Sequence, residues 1–405
     1  MEFVTTPKTN DAREPTSPHT RRWMLLAAWP VIAAMALSNE PAPLYVLWQD
    51  RLGFPDATLT LIYAGYFAGL LVSLSFSGTL SDRYGRRPVL LPGLAIGLVA
   101  SVLFTVADSV ALLGLARLLS GIAVGAALSA GMAAVSDLAP DGRKKLGGLV
   151  ASTSMVTGAA VGPLLTGVLS RALPHPTVTV FVVQVVLLLV ALAVVVRMPL
   201  RGREDSAVNG RLLRIPSVPA ANRRALLVSL AVFAPAFTAS GFVLSLGPSL
   251  LGRLLGGDDP LLSGGLISLL FAAATAVQFG VRGLRVPVQF RLGAGLTVVG
   301  MVALVAAVAA DSVPLLLVAA VLAGCGQGSA QLGGLATLAA EVPSARLAEA
   351  DSAFTAGGYL LAGGLPVVAG YLSDAVGLTA ATAVFGVVVA VLAAAGALAA
   401  EVVRA

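Results

Sequence analysis

The chain has 405 residues, of which 57% are hydrophobic and 11% are charged, and its mean hydropathy is +0.92. Soluble domains carry about 25% charged residues, so this composition excludes a soluble globular protein and indicates an integral membrane protein. The net charge of +6 would suggest nucleic-acid binding in a soluble chain, but here the placement of the basic residues gives it another cause. The single cysteine, Cys325, excludes an intramolecular disulfide.

The chain begins with a polar segment, residues 1–22, that carries four basic residues and three prolines. This composition predicts a disordered cytoplasmic tail. The apolar run that starts at Trp23 is long and lacks a convincing small-residue cleavage site. It therefore predicts a first membrane span and not a removed signal peptide.

Twelve apolar stretches are long enough to cross a bilayer, which takes about 20 residues of helix. The longest polar interior segment, 198–223, separates the first six stretches from the last six. The sequence therefore predicts an all-α integral membrane protein of two six-helix halves, 23–197 and 224–401, joined by a cytoplasmic linker. The predicted spans are 23–47, 57–81, 88–107, 109–136, 145–170, 176–197, 224–250, 260–281, 286–309, 312–339, 347–373 and 378–401.

Most basic residues lie in the tail, in the linker and in every second loop between spans. On the opposite side lie Arg51, Arg171 and Arg253, and Arg117 falls within a span. Because loops rich in arginine and lysine stay on the cytoplasmic side of a membrane, both termini are predicted to be cytoplasmic in a protein of the plasma membrane. The same bias explains the positive net charge without a nucleic-acid partner.

Between the second and third predicted spans lies the segment 78–88, which reads Gly-Thr-Leu-Ser-Asp-Arg-Tyr-Gly-Arg-Arg-Pro. This pattern resembles the signature loop of the major facilitator superfamily of secondary transporters. The resemblance implies twelve helices in two halves that rock about a central substrate site. It also implies a gating motif, whose residues here are Gly78, Asp82, Arg83, Gly85, Arg86 and Arg87, with Asp137 as a partner.

In the family, this loop latches the two halves together in the outward-facing state. The resemblance places Asp82 near the amino end of the eleventh span, where the helix dipole favours a carboxylate. It pairs Arg86 with Asp137 at the inner end of the fourth span. The alternative is an ordinary positive-inside turn, for which Arg83 or Arg87 alone would suffice.

Part of the loop recurs in the chain. The run Gly-Thr-Leu-Ser-Asp at 78–82 returns as Gly-Val-Leu-Ser-Arg at 167–171 and as Gly-Tyr-Leu-Ser-Asp at 370–374. These copies fall at the ends of the second, fifth and eleventh spans, which fits three-span repeats. The eighth span has lost the acid of the motif, and chance similarity among short strings is the alternative.

The fourth span reads Leu113-x-x-x-Arg117-x-x-Ser120-Gly121, which resembles the family's buried-arginine motif, with serine where glutamine is commoner. An unpaired charge at the centre of a membrane helix costs roughly 2.5–3.5 kcal/mol. Arg117 is therefore expected to face the cavity and to influence a nearby acid. The alternative is a side chain that reaches outward to the membrane surface.

The fifth span resembles the family's antiporter motif, with Thr166 in place of a glycine. The motif residues are Gly158, Gly162, Pro163 and Gly167. The resemblance implies export in exchange for protons, while generic packing of small residues between helices is the alternative.

The candidate proton site is Glu40, the acid that lies deepest in the first span. Pro41 and Pro43 free backbone carbonyls beside its carboxylate, and desolvation favours proton exchange there. The alternative is a plain carboxylate at the outer end of the span. Asp351 and Glu349, just inside the eleventh span, are second candidates, although acids are also common at helix starts.

By family geometry, the first, fourth, seventh and tenth spans line the cavity. The candidate lining residues are Asn39, Tyr45, Phe233, Phe237, Gln278, Gln327 and Gln331. Contact with lipid explains the two phenylalanines nearly as well. A lining with so few polar groups favours an apolar or amphipathic substrate and argues against sugars and phosphorylated solutes.

No phosphate-binding loop and no hydrolase motif occurs in the sequence, so neither ATP use nor an enzyme activity is predicted, and no cofactor is expected. The predicted function is proton-coupled export of a hydrophobic or amphipathic small molecule, such as a drug or a secondary metabolite. The alternatives are a proton-coupled uptake symporter for a nutrient and a non-transporting membrane sensor on the same fold.

Overall fold

The computed structural model describes residues 18–140, 143–200 and 218–402. These residues form an all-α structure, in which twelve helical segments are long and apolar enough to cross a membrane. The predicted twelve-helix architecture is therefore confirmed. We number the segments as spans 1 to 12: Pro18–Asn39 continued by Ala42–Leu44 and Tyr45–Leu52, Asp56–Tyr84, Arg87–Thr105, Val110–Ala126 continued by Ala127–Gly131 and Met132–Asp137, Lys144–Ala172, Pro176–Arg197, Ala220–Asn222 continued by Arg223–Ser245, Pro260–Val281, Val286–Ala309, Val313–Glu341, Ser344–Val376 and Leu378–Val402.

The first helix begins at Pro18, five residues before the predicted start at Trp23. The end of the predicted disordered tail, 18–22, is therefore helical. Proline is favoured in the first turn of a helix because its missing N–H is not needed there. Residues 1–17 of the predicted tail and residues 201–217 of the predicted linker 198–223 lie outside the described residues.

Other predicted ends lie close to the observed ones, and spans 6, 8 and 9 begin and end at the predicted residues. Span 7 is shorter than predicted: its helix ends at Ser245, and a separate short helix, Gly247–Leu255, follows. Pro248, in the first turn of the short helix, has no N–H to continue the hydrogen bonds of span 7, so the helix of span 7 does not run on through it.

Spans 1–6 pack largely against one another, and so do spans 7–12. The two groups meet along two seams, where span 2 packs against span 11 and span 5 packs against span 8. We name the end of the bundle that carries Arg83, Arg86 and Arg87 the basic face. The opposite end, which carries Asp56 and Asp374, is the far face.

Within the first group, span 2 and span 4 approach so closely that their backbones touch. A Cβ atom added at Gly69 would overlap the carbonyl oxygen of Leu118, and one added at Gly121 would overlap that of Tyr66. Without a hydrophobic force between helices in lipid, such close packing of small residues is a main source of helix association.

Alanine substitutions at two glycines of span 2 test this close approach. Gly69→Ala is expected to destabilise the protein by about 1–3 kcal/mol, because the backbone of span 4 has to move. Gly65→Ala, one turn away, should stay within about 1 kcal/mol of the wild type, since its Cβ would have one neighbour, the Gly114 oxygen at 3.7 Å. Detergent-denaturation curves followed by circular dichroism measure both; equal losses in the two variants would contradict the packing argument.

Candidate functional site

Span 1 breaks in the sequence Asn39-Glu40-Pro41-Ala42, where the α-helix ends and a short 3-10 turn follows. Prolines cannot donate the backbone hydrogen bonds that would continue the helix. Where a helix ends, its last carbonyl oxygens lack partners within the helix, and two carbonyls at this break accept side chains from other spans. Arg117 Nη1 donates to the Ser38 oxygen at 2.5 Å, and Thr166 Oγ1 donates to the Glu40 oxygen at 3.1 Å. The break therefore joins span 1 to spans 4 and 5.

Arg117 lies in the interior of the protein and is 1% exposed. Its guanidinium carbon lies 4.6 Å from the ring centre of Tyr66, 5.3 Å from that of Tyr63 and 6.0 Å from that of Tyr45. Among the described residues, no carboxylate forms an ion pair with it. The faces of the tyrosine rings and the Ser38 carbonyl stabilise the charge instead, and each close ring contributes about 0.5–2 kcal/mol.

Tyr63 and Tyr66 were not among the predicted site residues. Their spacing of three on span 2 puts both rings on one side of that helix, and this side faces span 4, which carries Arg117. The spacing is the signal that the sequence offered, but tyrosines in a membrane helix are equally common near its surface.

Glu40 is completely buried, with 0% exposure. Neither of its carboxylate oxygens has a hydrogen-bond partner within the part of the chain that the structure describes. An ionised carboxylate buried without a partner costs several kcal/mol, whereas the protonated group carries no charge. The expected acid of span 1 thus lies in an apolar setting, on the same break that binds Arg117 and Thr166.

The two acids at the start of span 11 have different surroundings. Glu349 forms an ion pair with Arg346, with 2.7 Å between Oε2 and Nε. Asp351 is half-buried, and its Oδ1 atom has no hydrogen-bond partner among the described residues. Asp351 lies one turn before Phe354, so it stands at the basic-face end of the aromatic residues of span 11.

The predicted cavity residues of span 7 join a row of aromatic rings. The rings of Phe233 and Phe237 stack with 5.3 Å between their centres, and Phe233 stacks on Phe354 at 4.5 Å. Phe237 contacts Tyr359 at 5.1 Å, and Tyr359 contacts Phe67 of span 2 at 5.2 Å. Phe233 is 4% exposed, so it faces the interior and not lipid.

This row continues to the arginine. Phe67 lies 5.2 Å from Tyr63 and 5.4 Å from Tyr66, between ring centres, and both tyrosines contact Arg117. Aromatic side chains of spans 7, 11 and 2 therefore form a continuous surface from one group of helices to the other. Phe237 and Tyr359 are half-buried, so part of each ring in this row is accessible.

The predicted polar lining residues lie in three places. Asn39 donates to the Ser38 hydroxyl at 2.7 Å, and Tyr45 lies against Arg117, so both belong to the arginine pocket. Gln327 is buried, with an unpartnered Oε1 atom, and Gln331 is half-buried one turn further along span 10. Their face of the helix continues to Gly334, which packs against the Phe354 ring. Gln278 is half-buried near the basic-face end of span 8.

At the basic face, Arg86 is bound by two acids. Its Nε lies 2.9 Å from Asp137 Oδ2, and its Nη1 lies 2.7 Å from Asp82 Oδ1. Burial alone would lower the pKa of Arg86, but the hydrogen bonds to Asp82 and Asp137 outweigh it and raise the pKa above its usual value. The expected pairing of Arg86 with Asp137 is present, and it joins the loop to the end of span 4.

The rest of this loop is held within the first group of helices. Arg87 donates to the Met198 oxygen at 2.6 Å, and Arg83 lies over the Tyr84 ring. Gly85 has φ +93°, a backbone conformation that favours glycine, whereas Gly78 has open space beside it. The side chain of Asp82 is 58% exposed, so it does not lie packed against the start of span 11 in this conformation.

The glycines of span 5 allow backbone contact on two sides. Gly158 and Gly162 lie against the carbonyl oxygens of Ile32 and Ala36 in span 1, and Gly167 lies against Leu261 in span 8. Across the same seam, Gly264 meets the carbonyl oxygen of Pro163, and Ser268 Oγ donates to the Ala160 oxygen at 2.8 Å. The motif thus lets span 5 pack against both groups of helices.

The sequence and the fold match known transporters. The sequence model of the Major Facilitator Superfamily matches residues 22–292. The multidrug resistance protein MdtL of Escherichia coli O45:K1 (strain S88) is 33% identical over 93 residues, which are 23% of this chain and 24% of that protein. The match therefore spans about a quarter of the relative's length.

Solved structures share the whole fold at low identity. A bacterial homologue of the human lysosomal transporter Spinster, in an inward-facing and unoccupied conformation, has a TM-score of 0.73 at 15% identity, covering 96% of this chain and 98% of that one. The POT family transporter PepTSo has a TM-score of 0.74 at 12% identity, covering 96% and 99%.

Two substitutions of Tyr66 test its role beside Arg117. Tyr66→Leu removes the ring face and should lower the free energy of unfolding by about 1–2 kcal/mol. Tyr66→Phe keeps the ring and should lower that free energy by less than about 1 kcal/mol. Thermal unfolding in a fixed detergent measures the two. Tyr371→Leu, at an exposed position of span 11, is the control; a loss in Tyr66→Phe as large as in Tyr66→Leu would show that the hydroxyl, and not the ring, matters.

Proposed function

Because the chain belongs to the Major Facilitator Superfamily, we propose that it is a proton-coupled exporter of hydrophobic or amphipathic small molecules, such as drugs or secondary metabolites. The observation that carries this proposal is the unpartnered, fully buried carboxyl group of Glu40 on the break of span 1 that also binds Arg117. The name of the relative, a multidrug resistance protein, supports export as the direction of transport and drugs as the substrate class.

The positive-inside rule supports an orientation with the basic face and both termini in the cytoplasm and the far face outside the plasma membrane. In that orientation, the end of span 11 contacts the start of span 2 at the outer side, and Asp82 is exposed on the cytoplasmic side. The structure then corresponds to an inward-facing state, as in the Spinster homologue with the same fold.

The substrate would bind along the aromatic row. Phe237 and Tyr359 offer ring faces from spans 7 and 11, and Gln327 and Gln331 add two amide groups on span 10. Ring faces accept many flat or apolar molecules, because stacking and apolar burial do not require a particular pattern of hydrogen bonds. Such a surface favours a broad range of amphipathic compounds.

In the proposed exchange, Glu40 takes a proton from the outer side and releases it on the inner side. The backbone of its segment is bonded to Arg117 of span 4 and to Thr166 of span 5. A change in the charge of Glu40 therefore acts on two further spans. Asp351 is the second candidate for the proton site.

Proteoliposomes with a trapped pH dye test the proposal. Lipophilic cations, neutral antibiotics, nutrients and sugars are added in turn to the wild type and to Glu40→Gln. An amphipathic compound should trigger proton movement in the wild type, and Glu40→Gln should reduce the rate at least tenfold, because the amide carries no exchangeable acidic proton.

Glu401→Gln is the matched control for this experiment, because Glu401 lies on the surface in an ion pair with Arg291; its rate should equal that of the wild type. Movement that survives Glu40→Gln but is lost in Asp351→Asn would move the proton site to span 11. Inward movement of a nutrient together with protons would show a symporter. No proton movement with any compound of the panel would favour a non-transporting sensor.

A further inference from the structure

At the far face, the end of span 11 binds the start of span 2. Asp374 Oδ1 accepts the backbone N–H of Asp56 at 2.9 Å, and Asp374 Oδ2 accepts that of Ala57 at 3.1 Å. These are the first two residues of span 2, and the first N–H groups of a helix have no acceptor within the helix. A carboxylate at this position also meets the positive end of the helix dipole.

Two neighbours of Asp374 complete this contact. The Ser373 hydroxyl donates to Asp56 Oδ2 at 2.5 Å. One turn earlier, Gly370 lies so close to span 2 that an added Cβ would overlap the Thr60 hydroxyl. We name Gly370, Ser373, Asp374, Asp56 and Thr60 the far-face contact; it joins the two groups of helices through polar atoms and has no room for a larger side chain.

The far-face contact mirrors the basic-face loop in sequence. Gly370-Tyr371-Leu372-Ser373-Asp374 ends span 11 as Gly78-Thr79-Leu80-Ser81-Asp82 ends span 2. Asp374 caps the start of span 2. By the same repeat, the equivalent partner of Asp82 is the start of span 11. In this conformation Asp374 is engaged, while Asp82 is exposed and paired with Arg86.

Between the two ends, spans 2 and 11 touch through Phe67, which packs against Tyr359 and Gly363. This point lies near the middle of both helices, which have 29 and 33 residues. Two rigid helices that lie side by side and touch near their middle can rock about that contact, so parting them at one face brings them together at the other.

We propose that Asp374 is a gating residue that holds the far face closed, in alternation with Asp82, which holds the basic face closed. The inference rests on the proposed transport by alternating access. With Asp374 bound to span 2 the far face is shut and Asp82 is free. When the far ends part, Asp374 loses its two N–H partners, and the approach of the basic ends supplies the equivalent groups to Asp82.

Hydrogen–deuterium exchange of the whole protein in lipid nanodiscs tests this assignment without any transport measurement. Asp374→Asn should increase amide exchange about tenfold in residues 56–60, because the charged acceptor of those N–H groups is lost. The same variant should slow exchange at residues 78–88 and at the start of span 11, because the basic face closes. Asp82→Asn should shift both regions in the opposite direction, and the double variant should return towards the wild type.

Asp311→Asn is the matched control: this acid lies at the far face in the same group of helices and pairs with Arg253 at 3.3 Å, so neither region should change. Asp374→Glu, which keeps the charge, should restore part of the protection. An increase confined to residues 56–60, with no slowing at the basic face, would reduce Asp374 to a helix cap and overturn the proposal, as would no change at all. Because exchange reports conformation alone, a failed export assay leaves this result independent.

Discussion

The charge of Arg117, buried in the bundle without an ion-paired carboxylate among the residues that the structure describes, is the constraint on which the first group of helices depends. The guanidinium has to find groups of negative potential within reach, and two spans supply them. Span 2 gives the faces of Tyr63 and Tyr66, and span 1 gives Tyr45 and the Ser38 carbonyl. That carbonyl is free because the helix of span 1 ends at Asn39. The break, the tyrosines and the arginine therefore form one unit.

Hydropathy was enough to predict the twelve spans, because a bilayer demands a helix of fixed minimum length with its backbone groups satisfied. Spans 6, 8 and 9 were predicted to the residue, since polar or proline-containing loops mark both ends. The start of span 1 was missed because Pro18 to Arg22 are polar. Hydropathy does not distinguish a polar helical turn that extends beyond the bilayer from a disordered tail.

The candidate site was only partly visible in the sequence. Glu40 and Arg117 stood out because charge is rare within spans, whereas an aromatic residue is equally suited to lipid and to the interior. Tyr66, Phe67 and Tyr359 were therefore missed, although they connect Arg117 to the predicted Phe237. The repeat at 370–374 is visible in the sequence, but its contact with the start of span 2 is not, since that helix starts more than three hundred positions away in the chain.

The seam between spans 5 and 8 contains close contacts made by backbone atoms and small side chains. Gly264 lies against the Pro163 carbonyl, and Ser268 bonds to the Ala160 oxygen. Interlocked large side chains must change rotamer before two helices slide, and each such change adds to the activation barrier. At these glycine and serine contacts no large side chain has to change rotamer, so they would resist sliding of spans 5 and 8 less than interlocked side chains would.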